Sequence, residues 1–184
     1  MSLFKHHSEQ LPLQPADTEA SERVLTTLER SNLDPHHILL VGSAALALYG
    51  VTLSPDERTG ASRPGDIDLL TTTHYAEQLY NTGKGTVKDI VNRDHMTVLR
   101  FDAEPLPIDI ITAPQESLDL ARYDRHLQKR MDGSRVIAGL GVRVLSLPDI
   151  IAAKKHDMPE YDPKVADDLA SAQATLARMK RDRQ

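Results

Sequence analysis

The apolar positions of this chain change period several times, and each change predicts an element. In DTEASERVLTTLER, Val24, Leu25 and Leu28 fall on one face at helical spacing, and Asn32 and Pro35 end that helix. HILLV (37–41) is a short continuous apolar run, the pattern of a buried strand. Gly42-Ser43 follows it, then a small apolar helix, AALALYG, stopped by Gly50. Prolines, glycines and charges make residues 51–65 a loop. DIDLLTT is the next strand, and HYAEQLY a short helix ended by Asn81 and Gly83.

Three β-like stretches come next, KGTVKDIV, HMTVLRF and LPIDIIT, with Asn92 to Asp94 as the turn between the first two. SLDLARYDRHLQKRM predicts a helix, and SRVIAGLGVRVLSL a short hairpin around Gly139 and Gly141. Ser146 can cap the helix LPDIIAAKKHD, with Pro148 near its start. Asp162 and Pro163 give the same start signal for a last helix running to about Lys180. Several strands adjoin with no helix between them, so an α+β fold is expected, a mixed sheet with flanking helices. Its parts are an N-terminal segment with the first helix (1–35), a core (36–146) and C-terminal helices packed on it (147–184).

Within RPGDIDLL, Asp66 and Asp68 stand one residue apart, so strand alternation puts both carboxylates on one face. In LPIDIIT, Asp109 sits among isoleucines and converges with them if the two strands pair. Two charges 4 Å apart repel by about 4 kcal/mol at an effective dielectric of 20. Three such groups are destabilising unless a cation lies among them, and hard oxygen donors suit Mg²⁺ or Mn²⁺. The plainer reading of the Asp-x-Asp pair is a strand-end cap beside a solvated acid. It does not explain Asp109.

Composition narrows the field. The chain has no cysteine, which excludes thiolate metal sites and thiol catalysis and suits a reducing, cytoplasmic location. Its first residues lack the apolar stretch of a signal peptide, and no run approaches a membrane span. A net charge of −5 and 4% aromatic residues disfavour general binding of nucleic acid, so any such contact needs a local basic patch. One exists. Arg122, Arg125, His126, Lys129 and Arg130 share a helical face opposite Tyr123, Leu127 and Met131, and are expected apart from the carboxylates. That face is either a solvated surface or a platform for a polyanion such as RNA.

Along LSLPDIIAAKKHDM, Leu147, Ile150, Ile151 and Met158 share one helical face, an apolar stripe with Lys154 in its middle. Such a lysine either snorkels to solvent or reaches an internal anion, and exchange for Met should preserve stability. Gly42-Ser43 also has two readings: a helix cap, or a turn that lets phosphate oxygens approach the backbone.

Taken together, LLVGSAALALYG, RPGDIDLL, PIDIIT and VRVLSLPDIIAAKK resemble the nucleotidyltransferase superfamily that includes DNA polymerase beta. They are most similar to its small bacterial branch of abortive-infection toxins. The resemblance covers residues 37–169. It implies that Gly42, Ser43 and Lys154 hold a nucleoside triphosphate and that Asp66, Asp68 and Asp109 bind Mg²⁺ or Mn²⁺. Asp109 would also activate the acceptor hydroxyl. In the KVADDL run of the last helix, Asp168 matches the second acid of a family pattern whose first acid is here Val165. Twenty-two residues separate Ser43 from Asp66, more than in the compact form of the motif. The activity implied is transfer of a nucleoside monophosphate to a hydroxyl on RNA, protein or a small molecule, with an antitoxin as partner. The alternatives are a catalytically degenerate binding protein and a metal-dependent phosphohydrolase.

Overall fold

The two strands that carry the aspartates are neighbours at the middle of one mixed sheet. The computed structural model describes residues 18–55, 60, 63–83, 87–93, 96–113, 120–156 and 163–182. Among them lie strands β1 (Ile38–Leu40), β2 (Ile67–Thr71), β3 (Val87–Arg93), β4 (Met96–Phe101), β5 (Ile108–Thr112), β6 (Arg135–Val136) and β7 (Arg143–Val144). They form a 7-stranded sheet in the order β3-β4-β5-β2-β1-β7-β6. β2 runs parallel to β5 and β1 parallel to β7, and the other neighbours are antiparallel. The helices are α1 (Thr18–Arg30), α2 (Gly42–Leu48), α3 (Thr73–Thr82), α4 (Leu120–Asp132), α5 (Leu147–His156) and α6 (Pro163–Arg181). This is the expected α+β architecture.

Alternation decides which way the central strands face. Ile67, Leu69 and Thr71 of β2 are buried, as are Ile108 and Ile110 of β5, while Asp68 and Leu70 turn to the other side. Fully burying one such aliphatic side chain contributes about 1.5–3 kcal/mol. α2 is buried from Ala44 to Leu48, so its apolar surface runs all round rather than along one stripe. α1 covers the core with Val24 and Leu28. α5 packs against α2 and α6.

Local signals held at most ends. The Ser146 hydroxyl accepts from the Asp149 amide at 3.3 Å and donates to its carboxylate, capping α5 as predicted. β6 and β7 pair antiparallel around Gly139 and Gly141, both at positive φ. Two boundaries differ. Asn92 and Arg93 pair with Thr97 and Met96, so strand pairing runs through the first part of the predicted turn. α3 continues through Asn81 because the left-handed stop, φ 60°, comes only at Gly83. The expectations for Met158 and Asp162 lie outside the described residues. No helix among the described residues is long and apolar enough to cross a membrane.

Candidate active site

β2 and β5 pair with Asp68 opposite Asp109, and Leu70 opposite Ile111, so one face of the sheet presents both acids. Asp66 immediately precedes β2 at the same phase of the alternation. The three predicted acids therefore come together. Their environment is not that of solvated surface groups. Burial pushes the Asp68 carboxyl up to about 7, helped by the charges of Asp66 and Asp109 and opposed by Lys154 and Arg100. The Asp66 carboxyl is raised too, by burial first and then by Asp109.

β4 adds a residue the sequence reading missed. Arg100 lies opposite Asp109 in the antiparallel register, and its Nε and Nη2 donate to the two carboxylate oxygens at 2.7 and 2.6 Å. This two-pronged clasp is geometrically specific. With Asp109 so engaged, no three His, Asp or Glu side chains among the described residues form a ready cation cage. Asp66 and Asp68 keep hard oxygen donors suited to Mg²⁺ or Mn²⁺. Asp109 has a further lone pair on each oxygen beside the bond from Arg100, with which it can join them.

Gly42 begins α2 at φ +66°, and a Cβ built there would fall 2.5 Å from Asp68 Oδ2. Both facts demand glycine, and they set its backbone directly against the carboxylate. Ser43 is not the helix cap. Val41 holds that position without a side-chain bond, and its amide donates to the Asp68 carbonyl at 3.0 Å. The Ser43 hydroxyl instead accepts from Arg63 Nη2 at 2.8 Å.

Arg63 leads to the most buried charges of the site. Its Nη1 and Nη2 donate to the oxygens of Asp168 at 3.0 and 2.9 Å, and Lys154 Nζ lies 3.1 Å from Asp168 Oδ2. The Asp168 side chain has 0% exposure, against 15% for Arg63 and 12% for Lys154. Leu147, Ile150 and Ile151 form the predicted buried stripe, and Lys154 in its middle does reach an internal anion. That anion is Asp168, so exchange of Lys154 for Met now carries a cost in stability, because it removes one partner of a buried charge.

A cleft of about 250 Å³ opens beside these groups, and Gly42, Asp68, Lys154, Leu70 and Ile111 are among the residues that line it. Arg130 of α4 lines it as well. α4 is turned by its buried Leu127 and Met131 and by Tyr123, whose hydroxyl donates to the Thr71 carbonyl at 3.2 Å. Arg122, Arg125, His126 and Lys129 are exposed, as either reading of the basic face requires. The expected separation of that face from the carboxylates is corrected: it borders the cleft through Arg130.

The acids make stability depend on pH in a definite direction. Folded Asp68 keeps its proton to a pH of about 7, whereas an ordinary carboxyl loses it near 3.8. Between those values the folded chain binds more protons than the unfolded one, so stability falls as pH rises through that window. Thermal unfolding of the metal-free chain should show a midpoint that declines across this range. In Asp68→Asn the decline should be much shallower.

No protein-family profile and no curated protein matches the chain. Among solved structures, the Megavirus polyadenylate synthase is similar with a TM-score of 0.42 and 11% identity, over 95% of this chain and 38% of that one. The chain thus spans well under half of that structure, and a likeness so slight carries no argument about activity.

Proposed function

We propose that this chain is a metal-dependent nucleotidyltransferase, moving a nucleoside monophosphate from an NTP to a hydroxyl acceptor with release of pyrophosphate. The observation that carries the reading is the meeting of Asp66, Asp68 and Asp109 on one sheet face, with the Gly42 backbone against Asp68. Asp66 and Asp68, with Asp109, would hold Mg²⁺ or Mn²⁺, which would neutralise charge on the phosphates. Gly42 lets the backbone lie close against Asp68, and Lys154, which shares Asp168 with Arg63, brings positive charge to the cleft that Gly42 and Asp68 line. In the reaction the acceptor oxygen bonds the α-phosphorus as the bond to pyrophosphate breaks, and Asp109 takes the hydroxyl proton. An antitoxin partner, implied by the resemblance, belongs to the same proposal.

One observation favours a second reading, in which the fold is kept for binding alone. Both oxygens of Asp109 are taken by Arg100. Release of pyrophosphate from an NTP, measured with Mg²⁺, total cell RNA and total cell protein, separates the two. The transferase releases it and stops when the metal is chelated, whereas the binding protein takes up NTP and releases none.

RNA is the acceptor class that the basic face of α4 suits. Binding to single-stranded RNA should then weaken with salt, with a slope of about −0.7 per neutralised phosphate. Arg122, Arg125, Lys129 and Arg130 offer no more than four contacts, so the slope should be no steeper than about −3. Reversing Arg125 and Lys129 to Glu should flatten it by about 1.4. A protein or small-molecule acceptor predicts labelling that survives both the reversal and ribonuclease.

A further inference from the structure

The charges around the cleft fall into two groups of opposite sign. Asp66, Asp68 and Asp109 are countered by Arg100, with Arg63 acting also on Asp66 and Lys154 on Asp68. Arg63 and Lys154 share the one carboxylate of Asp168, and the cleft lined by Asp68 and Lys154 is lined also by Leu70 and Arg130. Arg130 differs from every other cation of the site, because no carboxylate among the described residues pairs with it. Lys154 has its charge largely committed to Asp168. Arg130 does not.

Its position is also fixed rather than incidental. Leu127 and Met131 bury the inner side of α4, and the Met131 carbonyl accepts from Arg143 Nη1 at 2.9 Å, pinning the turn that carries Arg130. From Asp68 to Leu70 is two residues, about 7 Å along a strand. Arg130 lines the same cleft of about 250 Å³ as Asp68 and Leu70, which suits a ligand whose anionic tail starts beside the acids and ends at Arg130.

We propose that Arg130 is a substrate-binding residue that grips the terminal phosphate of the nucleoside triphosphate, in the cleft that it lines together with Lys154. The inference rests on the triphosphate reading above and adds a residue to it. A planar guanidinium can donate two parallel hydrogen bonds to one phosphate, which a lysine cannot. On this account Arg122, Arg125 and Lys129 are the part of the basic face left to an acceptor.

The test compares the full chain with Arg130→Gln, and with Arg178→Gln on the exposed side of α6 as a control, by calorimetric titration with Mg²⁺. Each of the four NTPs is titrated beside its monophosphate. Loss of one charge-assisted contact should weaken NTP binding by about 10- to 150-fold in Arg130→Gln. Binding of the monophosphate, which lacks the terminal phosphate, should stay within about twofold, and Arg178→Gln should match the unaltered chain. Equal losses for NTP and monophosphate, or no loss for either, would overturn the assignment of Arg130 while leaving the nucleotide reading intact. If the unaltered chain binds no NTP at all, that reading fails and the assignment with it.

Discussion

Asp168→Asn should destabilise the chain by about 3–5 kcal/mol, the usual consequence of removing one partner from a buried charge network. The Asp168 side chain is wholly buried, and its two oxygens are shared between Arg63 and Lys154. Asparagine keeps the shape but leaves two largely buried cations beside each other without a countercharge. Lys154→Met should cost less, because Arg63 still holds both oxygens of Asp168. Adding Lys154→Met to Asp168→Asn should regain part of the loss, since it removes one of the two cations that the first change orphaned. Urea unfolding measures all three. A loss within about 0.5 kcal/mol, typical of a surface exchange, would show that the network contributes nothing.

Asp68→Asn and Asp109→Asn should each suppress transfer yet move stability in opposite directions. At Asp109, loss of the group that takes the hydroxyl proton should lower the rate by about 10²- to 10⁴-fold. Asp68→Asn removes a carboxylate that burial and two like charges disfavour, so the metal-free chain should become more stable above pH 7. Asp109→Asn instead loosens the clasp of Arg100. That arginine is 46% exposed, so solvent screens the pair and the loss should be about 1 kcal/mol or less. Rates of NTP turnover beside thermal midpoints separate the two effects. If either variant keeps full activity, its carboxylate lies outside the reacting site.

The acids were legible because a strand's alternation is strict. Asp66 and Asp68 had to share a face, and Asp109 stood out as an acid flanked by isoleucines. Their meeting needed only the pairing of β2 with β5. Arg100 was not legible in the same way. Its partnership with Asp109 depends on the register of β4 against β5, and HMTVLRF does not fix that register. Arg63 lies in a loop without any period. Asp168 left a fainter signal: with Ala172 and Thr175 it forms a buried stripe on α6, at the same spacing that singled out Lys154 on α5. A lysine inside one helix's buried stripe and an acid inside the next helix's were halves of one pair. The small residues around Asp168 hid its half.

The measurement that bears most directly on the account uses NTPs labelled at the α-phosphate, incubated with Mg²⁺, total cell RNA and total cell protein, and compares the unaltered chain with Asp68→Asn. The account predicts label covalently attached to one of the two acceptor pools by the unaltered chain, and none by a folded Asp68→Asn chain. Binding of NTP with no label transferred to either pool and no pyrophosphate released when small-molecule extract is added, or equal labelling by both chains, would contradict it.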